Sequence, residues 1–149
     1  MPRDSIGVVE PERILYWGCT GFDLEEWLGI LRALFGLWGT LNALQQQYVL
    51  LDKVRRRGLF ATMTPPQRRL FSQIWLEQNE LYVNNINASL KVLKRDLEHE
   101  ACINRGDVLT WIRTTQQLIN HAMKTGRFGE VIRWVEKSLN TWLNALLLL

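Results

Sequence analysis

The sequence predicts an all-α fold in which one long central helix, at about residues 65–104, is packed by a long N-terminal helix and two shorter C-terminal helices. Residues 67–105 contain neither Gly nor Pro, and apolar residues recur along the chain at spacings of three and four. No segment alternates apolar and polar residues as a half-buried strand does. The 149 residues are 47% hydrophobic and 22% charged, a composition typical of one globular domain.

The first 22 residues differ from the rest of the chain. They contain two Pro and three Gly residues and have no helical period. We therefore expect an irregular N-terminal arm over residues 1–22 and a single helical domain over residues 23–149. The two cysteines, Cys19 and Cys102, form no CxxC pair and have no metal-ligand spacing. We expect them to be reduced thiols of an intracellular protein.

The N-terminal helix is predicted near residues 23–57. Asp23 and Glu26 resemble a capping box at its start, and Gly58 is a natural stop. Between Trp27 and Leu44 the only charged residue is Arg32, so this part could also be read as a membrane span. A central arginine would cost a span about 2.5–3.5 kcal/mol. The sequence therefore favours a central or interface helix over a membrane segment.

The long helix is predicted from its two ends and its apolar face. Thr64 can cap the N-terminus and Pro65 suits the first helical position, while Gly106 can end the helix. One apolar stripe runs from Phe71 to Ala101 at helical spacing. Such a helix is either a spine on which the others pack or a coiled-coil arm. The spine is favoured because the chain supplies other apolar helices.

Two shorter helices are predicted at about residues 108–124 and 129–147. Asp107 is the expected cap of the first, and the break between them falls at Gly126. The chain ends in four consecutive leucines, 146–149, which cannot all face one core. Together with the nearly uniform apolarity of the N-terminal helix, this excess of apolar surface predicts either a two-fold homodimer or a surface for a different partner, such as a polymerase or an export receptor.

Residues that could support catalysis are few. His99 and His121 are isolated, and no phosphate-binding glycine loop or nucleophile motif occurs. We expect no catalytic residue, no metal site and no cofactor, and hence a protein that is not an enzyme.

Basic residues concentrate between positions 52 and 69. This segment carries a net charge of +5, so the rest of the chain carries −2. The cations could bind RNA phosphates, an acidic protein segment or an import receptor, and those at the end of the first helix also complement its dipole. The predicted basic patch consists of Lys53, Arg55, Arg56, Arg57, Arg68 and Arg69.

A second candidate surface lies at the C-terminus. Leu139, Leu143, Leu146 and Leu148 match the spacing of a leucine-rich nuclear export signal. An amphipathic helix produces the same spacing when its leucines simply face a core. The four leucines are therefore predicted to form either an export or partner surface, or part of the packing.

The second half of the chain resembles the C proteins of paramyxoviruses, especially those of morbilliviruses. The resemblance covers roughly residues 82–147. It rests on Leu93-Lys94-Arg95-Asp96-Leu97 at the end of the long helix, on Leu109-Thr110-Trp111 and Gln117-Leu118-Ile119 in the next helix, and on Trp142-Leu143-Asn144-Ala145-Leu146 in the last.

The resemblance implies a non-enzymatic viral accessory protein. Members of that family bind host innate-immunity proteins, antagonise the interferon response and restrain the viral polymerase complex. It also implies a location in the host cytoplasm, with shuttling to the nucleus in some members. The residues themselves leave one main alternative, a helical RNA-binding module that uses the basic loop 53–69.

Overall fold

The computed structural model describes residues 24–99 and 105–147, and for residues 145–147 it describes the backbone only. The predicted N-terminal arm, Asp23, both cysteines and Leu148 lie outside the described residues. Within these ranges every regular element is an α-helix, which confirms the predicted fold class. The helices are α1 (Leu24–Arg56), α2 (Leu59–Thr62), α3 (Pro65–His99), α4 (Arg105–Thr125) and α5 (Gly129–Leu147).

The long helix α3 begins where the sequence predicts. The Gln67 amide donates to Thr64 Oγ1 at 3.4 Å, and the Thr64 amide donates to Gln67 Oε1 at 2.9 Å. These reciprocal bonds form a capping box with glutamine at the third helical position. The helix then continues without a break for 35 residues to His99.

Two tight reversals connect the helices. After α1 ends at Arg56, Gly58 adopts a φ of 64°, and after α4 ends at Thr125, Gly126 adopts a φ of 72°. Both glycines occupy the left-handed region, which other residues enter only at a cost. The connection between Gly58 and Thr64 contains the short helix α2.

The predicted boundary at Gly106 and Asp107 was wrong. Helix α4 already begins at Arg105, so Gly106 does not end α3 and Asp107 does not cap α4. Gly106 lies in the first turn of α4, where its carbonyl accepts a hydrogen bond from Thr110 Oγ1 at 2.9 Å. Asp107 lies in the same turn, where a carboxylate is favoured by the positive end of the helix dipole.

One hydrophobic core joins the four longer helices, and α1 contributes more buried apolar residues to it than any other described helix. The buried apolar residues of α1 are Trp27, Ile30, Leu31, Leu34, Leu37, Leu41 and Leu44, whereas α3 contributes only Ile86, Leu90, Leu93 and Leu97. Helix α1 packs on α3 and α5, α4 packs on α3, and α4 and α5 pack on each other. Trp38 is partly buried and ties α1 to α5, since its Nε1 donates to Glu136 Oε1 at 3.0 Å.

Two tryptophan–hydroxyl pairs fasten α4 to α5. Trp111 Nε1 donates to Ser138 Oγ at 3.0 Å, and Trp134 Nε1 donates to Thr115 Oγ1 at 2.9 Å. Both hydroxyl groups belong to buried residues and also donate to helix carbonyls. The two indole N–H groups and the two hydroxyl groups of these pairs are therefore satisfied, as a stable interior requires.

Candidate protein-docking groove and basic cleft

Helices α1 and α3 continue beyond the core as a two-helix tip, defined here as residues 45–62 and 65–85. The last buried residue of α1 is Leu44, and the first of α3 is Ile86. The tip is held by Gln47 Nε2, which donates to Asn79 Oδ1 at 2.9 Å, and by edge contacts of Tyr48 with Trp75 and of Phe60 with Phe71. It has side-chain contacts but no buried core of its own.

Large apolar side chains on the tip are unusually exposed. Exposed fractions of 40% to 60% are found for Val49, Leu50, Leu59, Leu70, Ile74, Leu76 and Leu81. Single exposed leucines are ordinary on a protein surface, but seven large apolar side chains on the neighbouring helices α1, α2 and α3 are the pattern of an interaction surface.

Between the two helices of the tip lies an apolar groove of about 470 Å³. It is lined by Ala43, Gln46, Gln47, Leu50, Leu51, Phe71, Ile74, Trp75, Gln78 and Tyr82. None of these side chains is charged, and Leu50 and Ile74 are exposed by 60% and 51%. The groove offers apolar area with a few amides that can hydrogen-bond, which is the usual composition of a protein-binding groove.

The α1 side of the groove ends in positive charge at the tip. Lys53 and Arg57 follow Leu50 by three and seven residues. Residues spaced in this way share a helix face. Both cations are exposed. The groove is therefore apolar along its length and cationic at the end that faces the α1–α3 connection.

A second cavity, the basic cleft, lies where the end of α1 meets the turn between α4 and α5. It has a volume of about 650 Å³. Its charged lining consists of Lys53, Arg55, Arg56, Lys124 and Arg127 with the single carboxylate of Asp52, and its other walls are Tyr48, Val49, Leu51, Trp75, Met123, Thr125 and Gly126.

The carboxylate of the basic cleft is already paired. Arg56 Nη2 lies 3.0 Å from Asp52 Oδ2, one turn away in α1. Within residues 24–99 and 105–147, no carboxylate lies within 4.0 Å of the basic groups of Lys53, Arg55, Lys124 or Arg127. The cleft therefore has excess positive charge that no carboxylate among the described residues neutralises.

Lys124 and Arg127 are the site residues that sequence reasoning missed. They come more than sixty residues after α1 and are joined to it by packing: the Tyr48 ring lies 5.3 Å from that of Phe128, and a Cβ on Gly126 would lie 3.5 Å from Tyr48 Cδ1. The sequence feature that could have placed them near α1 was Phe128. It is a large apolar residue directly after the turn, and such a residue is expected to pack in the core.

The predicted basic patch is distributed over different surfaces. Lys53, Arg55 and Arg56 line the basic cleft, whereas Arg68 and Arg69 line a shallow groove on the outer face of α3 with Glu77 and Glu80. Arg57 is exposed beside Gly58. The two acidic side chains lower the positive charge around Arg68 and Arg69, so the basic cleft is the more strongly cationic of the two surfaces.

Trp75 and Leu51 form a wall that the groove and the cleft share, since both residues line both cavities. Tyr48 stands beside this wall, with its ring centroid 5.4 Å from that of Trp75. Burial raises the pKa of the Tyr48 phenol above its ordinary value, so it is neutral at physiological pH.

The four leucines of the predicted export motif lie along α5 and beyond it. Leu139 is buried and Leu143 packs against the core. Leu146 lies in the last turn of α5, where only the backbone is described, and Leu148 lies outside the described residues. The export function stays a prediction, and it requires Leu139 to leave the core before a receptor can contact it.

Two further features of the described residues bear on function. No group of three or more His, Cys, Asp or Glu side chains in the described ranges is placed to hold a metal ion. Helix α1 alone among the described helices is long and apolar enough to cross a membrane by length and composition, and 39% of its most apolar window is buried. A core helix of a soluble protein passes the same test.

No known protein family, curated protein or solved structure matches this chain.

Proposed function

We propose that this chain is a non-enzymatic binding protein that acts by docking an amphipathic helix of another protein in the apolar groove. The observation that carries the proposal is the contrast between the two halves of α3. Ile86, Leu90, Leu93 and Leu97 are buried, whereas the large apolar side chains before Ile86 remain partly or fully exposed. An apolar helix face is stabilised only when something covers it.

The chemistry of the groove specifies the partner segment. Its floor between two helices suits a third helix that presents apolar residues at positions i, i+3 or i+4, and i+7. The cations Lys53 and Arg57 at one end favour acidic residues at the corresponding end of that helix. The proposed partner segment is therefore an amphipathic helix with an acidic terminus.

The resemblance to paramyxovirus C proteins suggests where the partner is to be found. On this proposal the chain is a viral accessory protein in the host cytoplasm, and its partners are host innate-immunity proteins or the viral polymerase complex. Antagonism of the interferon response and regulation of viral RNA synthesis would follow from occupying or blocking those partners.

A pair of photo-crosslinking variants tests the docking surface. A photoreactive amino acid is placed at Ile74, in the groove, or at Leu76, which is on the outer face of α3 and is exposed to a similar extent. Each variant is expressed in interferon-treated cells and in cells that contain the viral polymerase. We expect a defined partner to crosslink through position 74 and not through position 76.

A groove variant provides the control for this experiment. Leu50→Asp places a carboxylate on the rim of the groove and should abolish the crosslink from position 74. Because Leu50 is 60% exposed, the melting temperature should not change. Equal crosslinking from positions 74 and 76, or a crosslink that survives Leu50→Asp, would show that the groove is not the docking site.

A further inference from the structure

The positive charges of the basic cleft come from two separate parts of the chain. Lys53, Arg55 and Arg56 belong to the last turns of α1, and Lys124 and Arg127 belong to the α4–α5 turn. With Asp52 as the only carboxylate in the lining, the cleft carries five cationic groups and one anionic group. Like charges brought together repel one another, and an anion bound between them offsets that repulsion.

Helix dipoles account for only part of this cluster. Cations near the C-terminal ends of α1 and α4 are stabilised by the partial negative charge there, which suits Lys53, Arg55, Arg56 and Lys124. Arg127 lies two residues before the start of α5, at the positive end of that dipole. A cation at that position is disfavoured by the dipole, so the helix dipoles do not account for Arg127.

Aromatic rings line the same cleft as the cations. Tyr48 and Trp75 are both partly exposed and contribute to its lining beside the apolar side chains of Val49 and Leu51. The two aromatic residues are far apart in sequence and meet only in the folded protein. Cationic side chains that follow a phosphate backbone, with aromatic rings on which bases stack, are the combination found in proteins that bind single strands.

We infer that the basic cleft binds single-stranded nucleic acid. The phosphates pair with Lys53, Arg55, Lys124 and Arg127 along the rim, and a base stacks on the exposed part of the Trp75 ring. The cleft is concave, so a flat membrane surface cannot reach its aromatic wall. A phosphopeptide would use the cations and leave that wall uncovered.

Fluorescence anisotropy on the pure, full-length protein tests the inference. The probes are labelled oligouridine and oligothymidine of about 12 nucleotides, within the range that one single-strand site covers. A duplex of the same length, inorganic polyphosphate, a phosphopeptide and anionic vesicles are competitors. We expect both single strands to bind and to be displaced poorly by the competitors. No binding at about 50 mM salt, or displacement by polyphosphate or phosphopeptide at equal charge, overturns the inference.

The salt dependence identifies the residues that touch phosphate. Each phosphate contact with a single strand contributes about −0.7 to the slope of log K against log salt. Lys124→Gln/Arg127→Gln should therefore reduce the slope by about 1.4 and weaken binding. The control Arg68→Gln/Arg69→Gln removes the same charge from the outer face of α3 and should leave the slope unchanged. Equal effects of the two double variants would show that binding depends only on the overall charge of the protein. That result would overturn the assignment of the site to the basic cleft.

The aromatic contact has a separate signature. Trp75→Leu should weaken binding about 5- to 150-fold, the range expected for the loss of one stacked base, without changing the salt slope. Trp75→Phe keeps a ring and should restore most of the affinity. If Trp75→Leu binds as tightly as the wild type while its melting temperature shows that it is folded, the stacking contact does not exist and the inference fails.

Discussion

The indole rings of Trp27 and Trp142 stack in the core with their centroids 4.1 Å apart and their planes inclined by 23°. Trp27 lies in the first turn of α1 and Trp142 near the end of α5, so the stack joins the two extremes of the described chain. Both rings are almost completely buried, with exposed fractions of 1% and 0%.

The stack should contribute measurably to stability. Trp142→Ala is expected to lower the free energy of unfolding by about 3–5 kcal/mol, because a large buried side chain is removed from the core. A double-mutant cycle of Trp27→Leu and Trp142→Leu should give a coupling of about 0.5–1.5 kcal/mol, as for other aromatic pairs. Urea denaturation of the four proteins measures both quantities, and strictly additive effects would contradict the stacked arrangement.

Two leucines of α3 offer a matched comparison between its halves. Leu93→Ala should lower the free energy of unfolding by about 2–5 kcal/mol, since Leu93 is fully buried. Leu76→Ala is the same substitution at a side chain that is 59% exposed, and it should change stability by less than about 0.5 kcal/mol. Thermal or urea unfolding of the two variants measures this difference. Equal losses of stability would mean that the tip is covered when the protein is free in solution.

The α4–α5 hairpin should depend on the hydroxyl of Ser138. Ser138→Ala leaves the Trp111 indole N–H buried and without its acceptor, at a cost of about 1–3 kcal/mol. Thr141, in the next turn of α5, donates to the Lys137 carbonyl on an exposed surface, so Thr141→Ala should cost less than about 0.5 kcal/mol. Chemical denaturation measures both variants. A neutral Ser138→Ala variant would indicate that another acceptor replaces the hydroxyl.

The basic residues at the tip should be dispensable for folding. Replacing Arg55, Arg56, Arg57, Arg68 and Arg69 by glutamine breaks one exposed ion pair, that of Arg56 with Asp52. Exposed pairs contribute at most about 1 kcal/mol, and cations near a helix C-terminus about 0.3–1 kcal/mol each. Circular dichroism should show an unchanged helix content and a cooperative melt. Loss of the folded state would assign these arginines a structural role.

A homodimer, expected from the excess of apolar surface, has a candidate interface on α1. Leu24, Leu28 and Phe35 share one helix face and are 51%, 49% and 46% exposed. We expect light scattering to give a mass of twice 17.5 kDa at micromolar concentrations. Leu28→Asp should restore the monomer, whereas Ile74→Asp, in the groove, should not. A mass near 17.5 kDa at every concentration would exclude the dimer.

The sequence was most informative where local chemistry decides the structure. Thr64, Pro65 and Gln67 fix the start of α3 within a few residues, and Gly58 and Gly126 mark the two reversals because each adopts a positive φ. At Gly106 the same reasoning failed. A glycine can end a helix or be tolerated in its first turn, and tertiary packing decides between these outcomes.

Burial and site geometry were less accessible to sequence reasoning. The apolar stripe of α3 shows which face of the helix is apolar, yet only the packing of the other helices determines that burial begins at Ile86. The basic cleft likewise depends on Phe128 packing against Tyr48, which brings Lys124 and Arg127 to the end of α1. Contacts between residues this far apart in sequence leave no periodic pattern.

The wall formed by Trp75 and Leu51 gives the two cavities a thermodynamic connection. A helix seated in the groove would contact one side of these residues, and a nucleic acid strand in the cleft would contact the other. If either ligand fixes the orientation of the Trp75 ring, it changes the affinity for the second ligand, and linkage requires the second to change the affinity for the first by the same factor. The tip would then couple the binding of a protein to the binding of a nucleic acid. The two ligands would compete or cooperate through the orientation of the Trp75 indole.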